Sequence, residues 1–175
     1  MGVTIQYRGT IGDTAAVHQL IDEIVDIAKT QGWACQLLDE DWAEQPTARL
    51  DSAEGPGIQI VGRTVLKGLH FKPHPACEPV WLYFDRWGRM TTPFRVALDA
   101  ADGYPGKEIW LSTKTKFSDL NTHLTIINLF RYLKKKYIPN LMVRDGSGYW
   151  EHKDLNQLRQ HYQLYSSSSS SSSLP

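Results

Sequence analysis

The sequence predicts an α+β domain: a mostly antiparallel sheet, two principal helices packed on one face, and a short C-terminal helix. Three observations carry this. Short runs of period-two alternation are scattered along the chain, and two long segments instead repeat apolar residues every three or four positions. Turn signals rich in Gly, Pro and Asp separate neighbouring extended runs closely enough for hairpins. The resulting order is β-α-β, several antiparallel strands, then β-α-β-β-α, which collects the helices on one face of the sheet.

Residues 3–8 alternate Val3, Ile5 and Tyr7 with Thr4, Gln6 and Arg8, the pattern of a half-buried strand. A turn at 9–12 leads to Asp13, whose carboxylate can accept from the free N–H groups of a helix. That helix lines up Val17, Leu20, Ile21, Ile24, Ile27 and Ala28 and ends at Gly32. Residues 33–38 read as a second strand. The acidic stretch 39–55, interrupted by Pro46, reads as a surface loop with one helical turn around Trp42. Residues 57–71 form a long extended run broken at Gly62 or Gly68.

Pro73, Pro75 and Pro79 make 72–79 a stiff loop without regular hydrogen bonding. A strand at 80–84 turns at 85–88 into a second strand at 89–96. After a loop at 99–106, the strand 108–113 precedes the longest helix, about 118–137, with His123, Ile126, Ile127, Phe130, Leu133 and Tyr137 on its inner stripe. Lys134, Lys135 and Lys136 complement the negative end of its dipole, and Pro139 stops it. The Asp145-Gly-Ser-Gly148 turn joins strands at 141–144 and 149–152 into a hairpin. A short amphipathic helix over 154–165 closes the domain. The domain therefore occupies residues 1–165, and 166–175 form a disordered polyserine tail, because serines bury nothing apolar.

Lys plus Arg and Asp plus Glu both number 19, so the chain has no global field to draw in nucleic acid or an anionic membrane. No apolar run reaches the ~20 residues of a membrane helix. With two cysteines, Cys35 and Cys77, and no secretory signal, the expectation is a soluble cytoplasmic protein with free thiols.

The densest chemistry lies in His70-Phe-Lys-Pro-His74-Pro-Ala-Cys77-Glu78. His70, His74 and Cys77 offer lone pairs suited to a divalent transition metal such as zinc, with Glu78 as a general base. The spacing matches no zinc motif, and an extended chain holds residues four apart at roughly 13 Å, so a structural or substrate-binding loop competes with a metal site. His123, near a helix N-terminus, is either a catalytic base or a core histidine with a backbone partner. Lys114 and Lys116 lead into the same N-terminus and could hold an anionic ligand, although no glycine-rich cradle accompanies them. Tyr149 and Glu151, on one face of the expected last strand, could line a pocket, or could simply pack the sheet. Arg131 to Lys136 spread around their helix as a solvated end, so nucleic acid is not an expected partner.

The Lys-Pro-His-Pro-Ala-Cys-Glu run at 72–78, the Lys-Thr-Lys-Phe at 114–117 before a histidine-bearing helix, and Asp-Gly-Ser-Gly-Tyr-Trp-Glu at 145–151 together resemble uncharacterised bacterial α+β proteins. The resemblance spans most of residues 1–165 and implies no activity. Two readings follow from the residues. The first is a soluble binding or protein-interaction module, for a protein or small molecule or as a homo-oligomer. The second is a small metal-assisted hydrolase built from the 70–78 loop and His123, which requires His74, Cys77 and His123 to converge on one ion.

Overall fold

A computed structural model describes residues 3–52, 55, 57–102 and 108–169. In chain order the elements are β1 (Thr4–Arg8), a 3-10 turn (Thr14–Ala16), α1 (Val17–Gln31), β2 (Ala34–Asp39), β3 (Arg49–Asp51), β4 (Gln59–Val61), β5 (Lys67–Lys72) and β6 (Val80–Phe84). They continue with β7 (Met90–Thr91), α2 (Pro93–Asp102), β8 (Leu111–Lys114), α3 (Leu120–Lys136), β9 (Met142–Asp145), α4 (Tyr149–His152) and α5 (Leu155–Ser169). The fold is α+β, with every strand pair antiparallel. No described helix is long and apolar enough to cross a membrane.

The strands form three sheets, ordered β8-β1-β9, β2-β5-β6-β7 and β3-β4. Contacts within β1 and beyond its end help join the larger pair. Thr10 bridges Arg89 beyond the end of β1, and the buried Tyr7 hydroxyl accepts the Trp81 N–H at 2.8 Å. Alternation then decides what each face buries. Ile5 and Tyr7 of β1, Leu69 and Phe71 of β5, and Leu82 and Phe84 of β6 all enter one core. The predicted stripes of the two long helices cover it: Val17, Leu20, Ile21, Ile24 and Ala28 from α1, and Ile126, Ile127, Phe130 and Leu133 from α3. Each such side chain contributes roughly 1.5–3 kcal/mol when fully buried. Gly32 and Asp119 cap these helices, the latter accepting the Thr122 N–H.

A second, smaller core lies on the opposite face of the β2-β5-β6-β7 sheet. Ala48, Leu66, Tyr83, Val96 and Ala97 cluster there, with Leu38, Leu50 and Trp81 packed against them. Its roof is the β3-β4 hairpin and α2, two features the sequence reading does not contain. The expected strand 89–96 pairs with β6 at Met90–Thr91, after the Arg89 bridge to Thr10, and then becomes α2. Thr92 accepts the Arg95 N–H at 3.2 Å, Pro93 occupies the first helical position, and Arg95 pairs with Asp99 at 2.7 Å one turn on.

The extended run 57–71 divides into β4 and β5, with Gly62 at the break. The expected hairpin after β9 is also replaced. Asp145 accepts the N–H groups of Ser147 at 2.9 Å and Trp150 at 3.1 Å, so the Asp-Gly-Ser-Gly turn starts the helix α4 instead of returning a strand. Finally, α5 runs on through Ser166 to Ser169, where a disordered tail was expected; residues 170–175 lie outside the described residues.

Candidate functional site

Strand register builds a cleft on the outer face of the second sheet. Gln36, His70 and Trp81 lie across β2, β5 and β6 in one row, and Leu38, Gly68 and Tyr83 lie in the next. The cleft has a volume of about 290 Å³, and Glu40, Thr64 and Pro93 also line it. His70 Nδ1 and the Tyr83 hydroxyl share a hydrogen bond of 2.6 Å, and that hydroxyl also reaches the Gln36 carbonyl at 3.5 Å. The His70 ring lies 4.7 Å from the Trp81 ring, tilted by 42°. His70 and Trp81 are half-buried, so the pair meets both the sheet and the cleft.

The wall of this cleft is strained. Val65 has φ 58°, the left-handed region, where a β-branched residue is an outlier at a cost of roughly 1–2 kcal/mol. Glu40 holds it there. One carboxylate oxygen accepts the Thr64 N–H at 3.1 Å, and the other accepts from the Thr64 hydroxyl and, at 3.4 Å, from the Leu66 N–H. The chain on both sides of Val65 is thus pinned by one side chain. Strain of this kind collects beside sites where the backbone must hold a set shape.

Burial lowers the His70 pKa below the usual imidazole range. Burial also pushes the Tyr83 phenol up to about 12, against an opposing hydrogen bond from His70. Both groups are therefore neutral at pH 7. The Glu40 oxygens are already engaged by Thr64 and Leu66. The cleft thus offers stacking surface and neutral donors and acceptors, the equipment of recognition more than of proton transfer at a reacting atom.

A second polar cluster is fully interior. His123 Nδ1 lies 2.9 Å from the Thr115 hydroxyl, while Nε2 lies 3.1 Å from Asp145 Oδ2 and 3.3 Å from the Ser147 hydroxyl. The Tyr162 hydroxyl donates to Thr115 Oγ1 at 3.2 Å. Burial opposes ionisation of Asp145, but the hydrogen bonds from His123 and Ser147 outweigh it and hold the carboxyl below its ordinary range. Serine, histidine and aspartate meet here, yet the serine and the aspartate share one ring nitrogen. The ring therefore cannot accept a proton from the hydroxyl on one side while the carboxylate steadies the other. His123 and Thr115 are 0% exposed and Ser147 is 1% exposed, which leaves no approach for a substrate. The cluster fastens β8, α3, β9 and α5 together.

The residues of the 70–78 loop go separate ways. His70 faces the cleft from β5. His74 Nδ1 accepts the Ala76 N–H at 3.0 Å inside its own turn. Cys77 is buried in the main core, and burial, with Glu78 adding, pushes its thiol up to about 12. Glu78 accepts the Lys114 N–H at 2.8 Å and donates its own N–H to the Lys114 carbonyl at 3.1 Å, so it zips the loop to β8. Among the described residues no three His, Cys, Asp or Glu side chains group closely enough to hold a metal. His74, Cys77 and His123 thus do not share an open coordination position: each nitrogen of His123 already has a partner, and the thiol is in the core.

Lys114 projects into solvent from β8, and Lys116 Nζ lies 4.5 Å from the Phe117 ring. Tyr149 and Glu151 belong to α4 and not to a strand; the Tyr149 ring receives the Arg131 guanidinium at 5.3 Å, and Glu151 is exposed. Of the expected site residues, only His70 lines the cleft. Gln36, Glu40, Trp81 and Tyr83 were missed. Alternation along 80–84 puts Trp81 and Tyr83 on one face, but only the register of β5 against β2 and β6 brings His70 and Gln36 beside them. No family model, no curated protein and no solved structure matches this chain, so the site is read from its geometry.

Proposed function

We propose that this domain is a binding module whose outer-face cleft holds a small, uncharged ligand with a flat face. The observation that supports this is the half-buried Trp81–His70 pair, backed by the buried Tyr83 hydroxyl and set in a cleft beside the strained Val65. A flat ligand face would lie on Trp81, and polar edges would meet His70 and the Gln36 side chain. The metal-assisted hydrolase reading lacks a converging set of ligands among the described residues. The free Cys35 and Cys77 suit a reducing compartment such as the cytoplasm.

Saturation-transfer NMR with a library of uncharged heteroaromatic and saccharide fragments tests the reading. Hits should transfer from the intact chain and weaken in both Trp81→Ala and His70→Ala. Hits that bind these variants as well as the wild type, or no hits at all, would reject the cleft as the binding site.

A further inference from the structure

The β8-β1-β9 sheet buries Ile5, Tyr7, Leu111 and Val143 on its inner face. Its outer face is formed by the alternate residues, and it is basic. Arg8 and Arg144 approach the same indole, that of Trp110 just before β8, with guanidinium carbons 4.7 and 4.3 Å from the ring centroid. Lys114 stands on the same face of β8, paired across the ladder with Thr4. Gln6, Lys114, Met142 and Arg144 are all exposed, so this face is open.

Charge on this face is not balanced. Glu108 Oε1 lies 3.9 Å from Arg8 Nε, and among the described residues neither the Arg144 guanidinium nor the Lys114 ammonium has a carboxylate within 4.0 Å, the nearby Glu78 carboxylate being spent on the Lys114 backbone N–H at 2.8 Å. Arg8 Nε is buried without a hydrogen-bond partner among the described residues, and the other end of this guanidinium donates to the Met142 sulfur at 3.4 Å. Zero net charge over the whole chain therefore conceals a local cationic surface. The cations first suspected, those on α3, are otherwise occupied: Lys134 donates to the Pro139 and Leu141 carbonyls at 3.2 and 2.7 Å, and Lys136 pairs with Glu23.

We propose that this open sheet face binds single-stranded nucleic acid. Unpaired bases stack on aromatic rings and on guanidinium planes, and the Arg8–Trp110–Arg144 group presents both, while Lys114 supplies a phosphate contact further along the sheet. A flat three-stranded face has nothing to insert into a duplex groove, so its bases must already be unpaired. The sequence expectation against nucleic acid rested on net charge and on α3, and neither describes this face.

Fluorescence anisotropy with a labelled oligouridine, and with a duplex of equal length, tests the proposal on the full chain across a salt series. The wild type should bind the single strand in preference to the duplex. Arg144→Ala should weaken it about tenfold, the order expected for one lost stacking contact. Lys114→Ala should weaken binding and reduce the slope of log affinity against log salt by about 0.7. Arg144→Lys should keep the slope but lose affinity, because it keeps the charge without the stacking plane. Both altered side chains are exposed, so melting temperatures should match the wild type. Lys135→Ala should leave binding unchanged. Absence of binding, equal binding of duplex and single strand, full affinity in Arg144→Ala and Lys114→Ala, or full affinity in Arg144→Lys would each overturn it.

Discussion

Gly68→Ala should be the most damaging single-methyl change in the second sheet. Gly68 has φ 147°, and a Cβ built on it would lie 2.0 Å from the Leu82 carbonyl oxygen and 2.7 Å from the Tyr83 Cα. Carbon and oxygen rarely approach closer than about 3.3 Å, so β5 and β6 would have to part by more than 1 Å in a ladder normally spaced near 4.8 Å. That separation breaks ladder bonds on either side, each contributing roughly 0.5–1.5 kcal/mol, and the backbone angle adds roughly 1–3 kcal/mol for a residue with a side chain. The sum is about 3–6 kcal/mol against a typical domain stability of 5–15 kcal/mol. For a domain of this size that lowers Tm by about 10–20 °C. Gly32→Ala is the control: φ is 69° there, but nothing lies within 4 Å of the added carbon, so only the conformational cost of about 1–2 kcal/mol remains. Calorimetry or urea unfolding of both variants decides. If Gly68→Ala melts no lower than Gly32→Ala, the close contact between β5 and β6 is not what fixes glycine at this position.

Three further outcomes follow from the same structure. Asp145→Asn turns one of the two carboxylate oxygens into an NH2 donor, which must then face either the Ser147 or the Trp150 N–H, and removes the buried charge beside His123; it should cost about 3–5 kcal/mol in urea unfolding. Because the folded-state pKa of Asp145 is lowered, its contribution is present above the unfolded value near 4 and is lost as pH falls through the folded value; acid titration of Asp145→Asn should lack that component. His70 also has a lowered pKa, so the wild type should lose stability as pH falls from about 6.5, whereas His70→Gln should show a flatter profile in melts between pH 8 and 5. Lys136→Ala removes an exposed ion pair with Glu23 and should leave the urea midpoint nearly unchanged, with any small difference vanishing at high salt.

What could be read from the sequence divides along a physical line. The two long helices announce themselves because a stripe over fifteen or more residues is a strong periodic signal, and the structure buries their inner residues except Ile27, which is only partly covered at the edge of the α1 stripe. α2 was hidden because the pattern of Arg89 to Val96 suits a strand until Thr92 and Pro93 are weighed as a helix start. The hairpin after β9 was misread because Asp-Gly-Ser-Gly is a turn signal in either outcome. The choice was made by a buried carboxylate collecting two N–H groups, one of them five residues away. The cleft was illegible for a different reason. Its rows join residues from three strands, and register across strands is set by which faces the two cores bury, a tertiary fact that no local window contains.

The same reasoning explains why reactive residue types clustered in sequence proved a poor guide to where binding groups meet. Prolines gather histidine and cysteine along 70–78, but strand alternation and the turn then send His70 outward, Cys77 inward and His74 to its own backbone. Conversely, Arg8 of β1, Trp110 beside β8 and Arg144 of β9 come from three distant parts of the chain, yet pleat parity brings them onto one face. In a sheet protein, chemistry is assembled across strands rather than along them. Two faces are therefore where binding should be sought: the concave one around His70, beside the roof of β3-β4 and α2, and the open cationic one around Trp110.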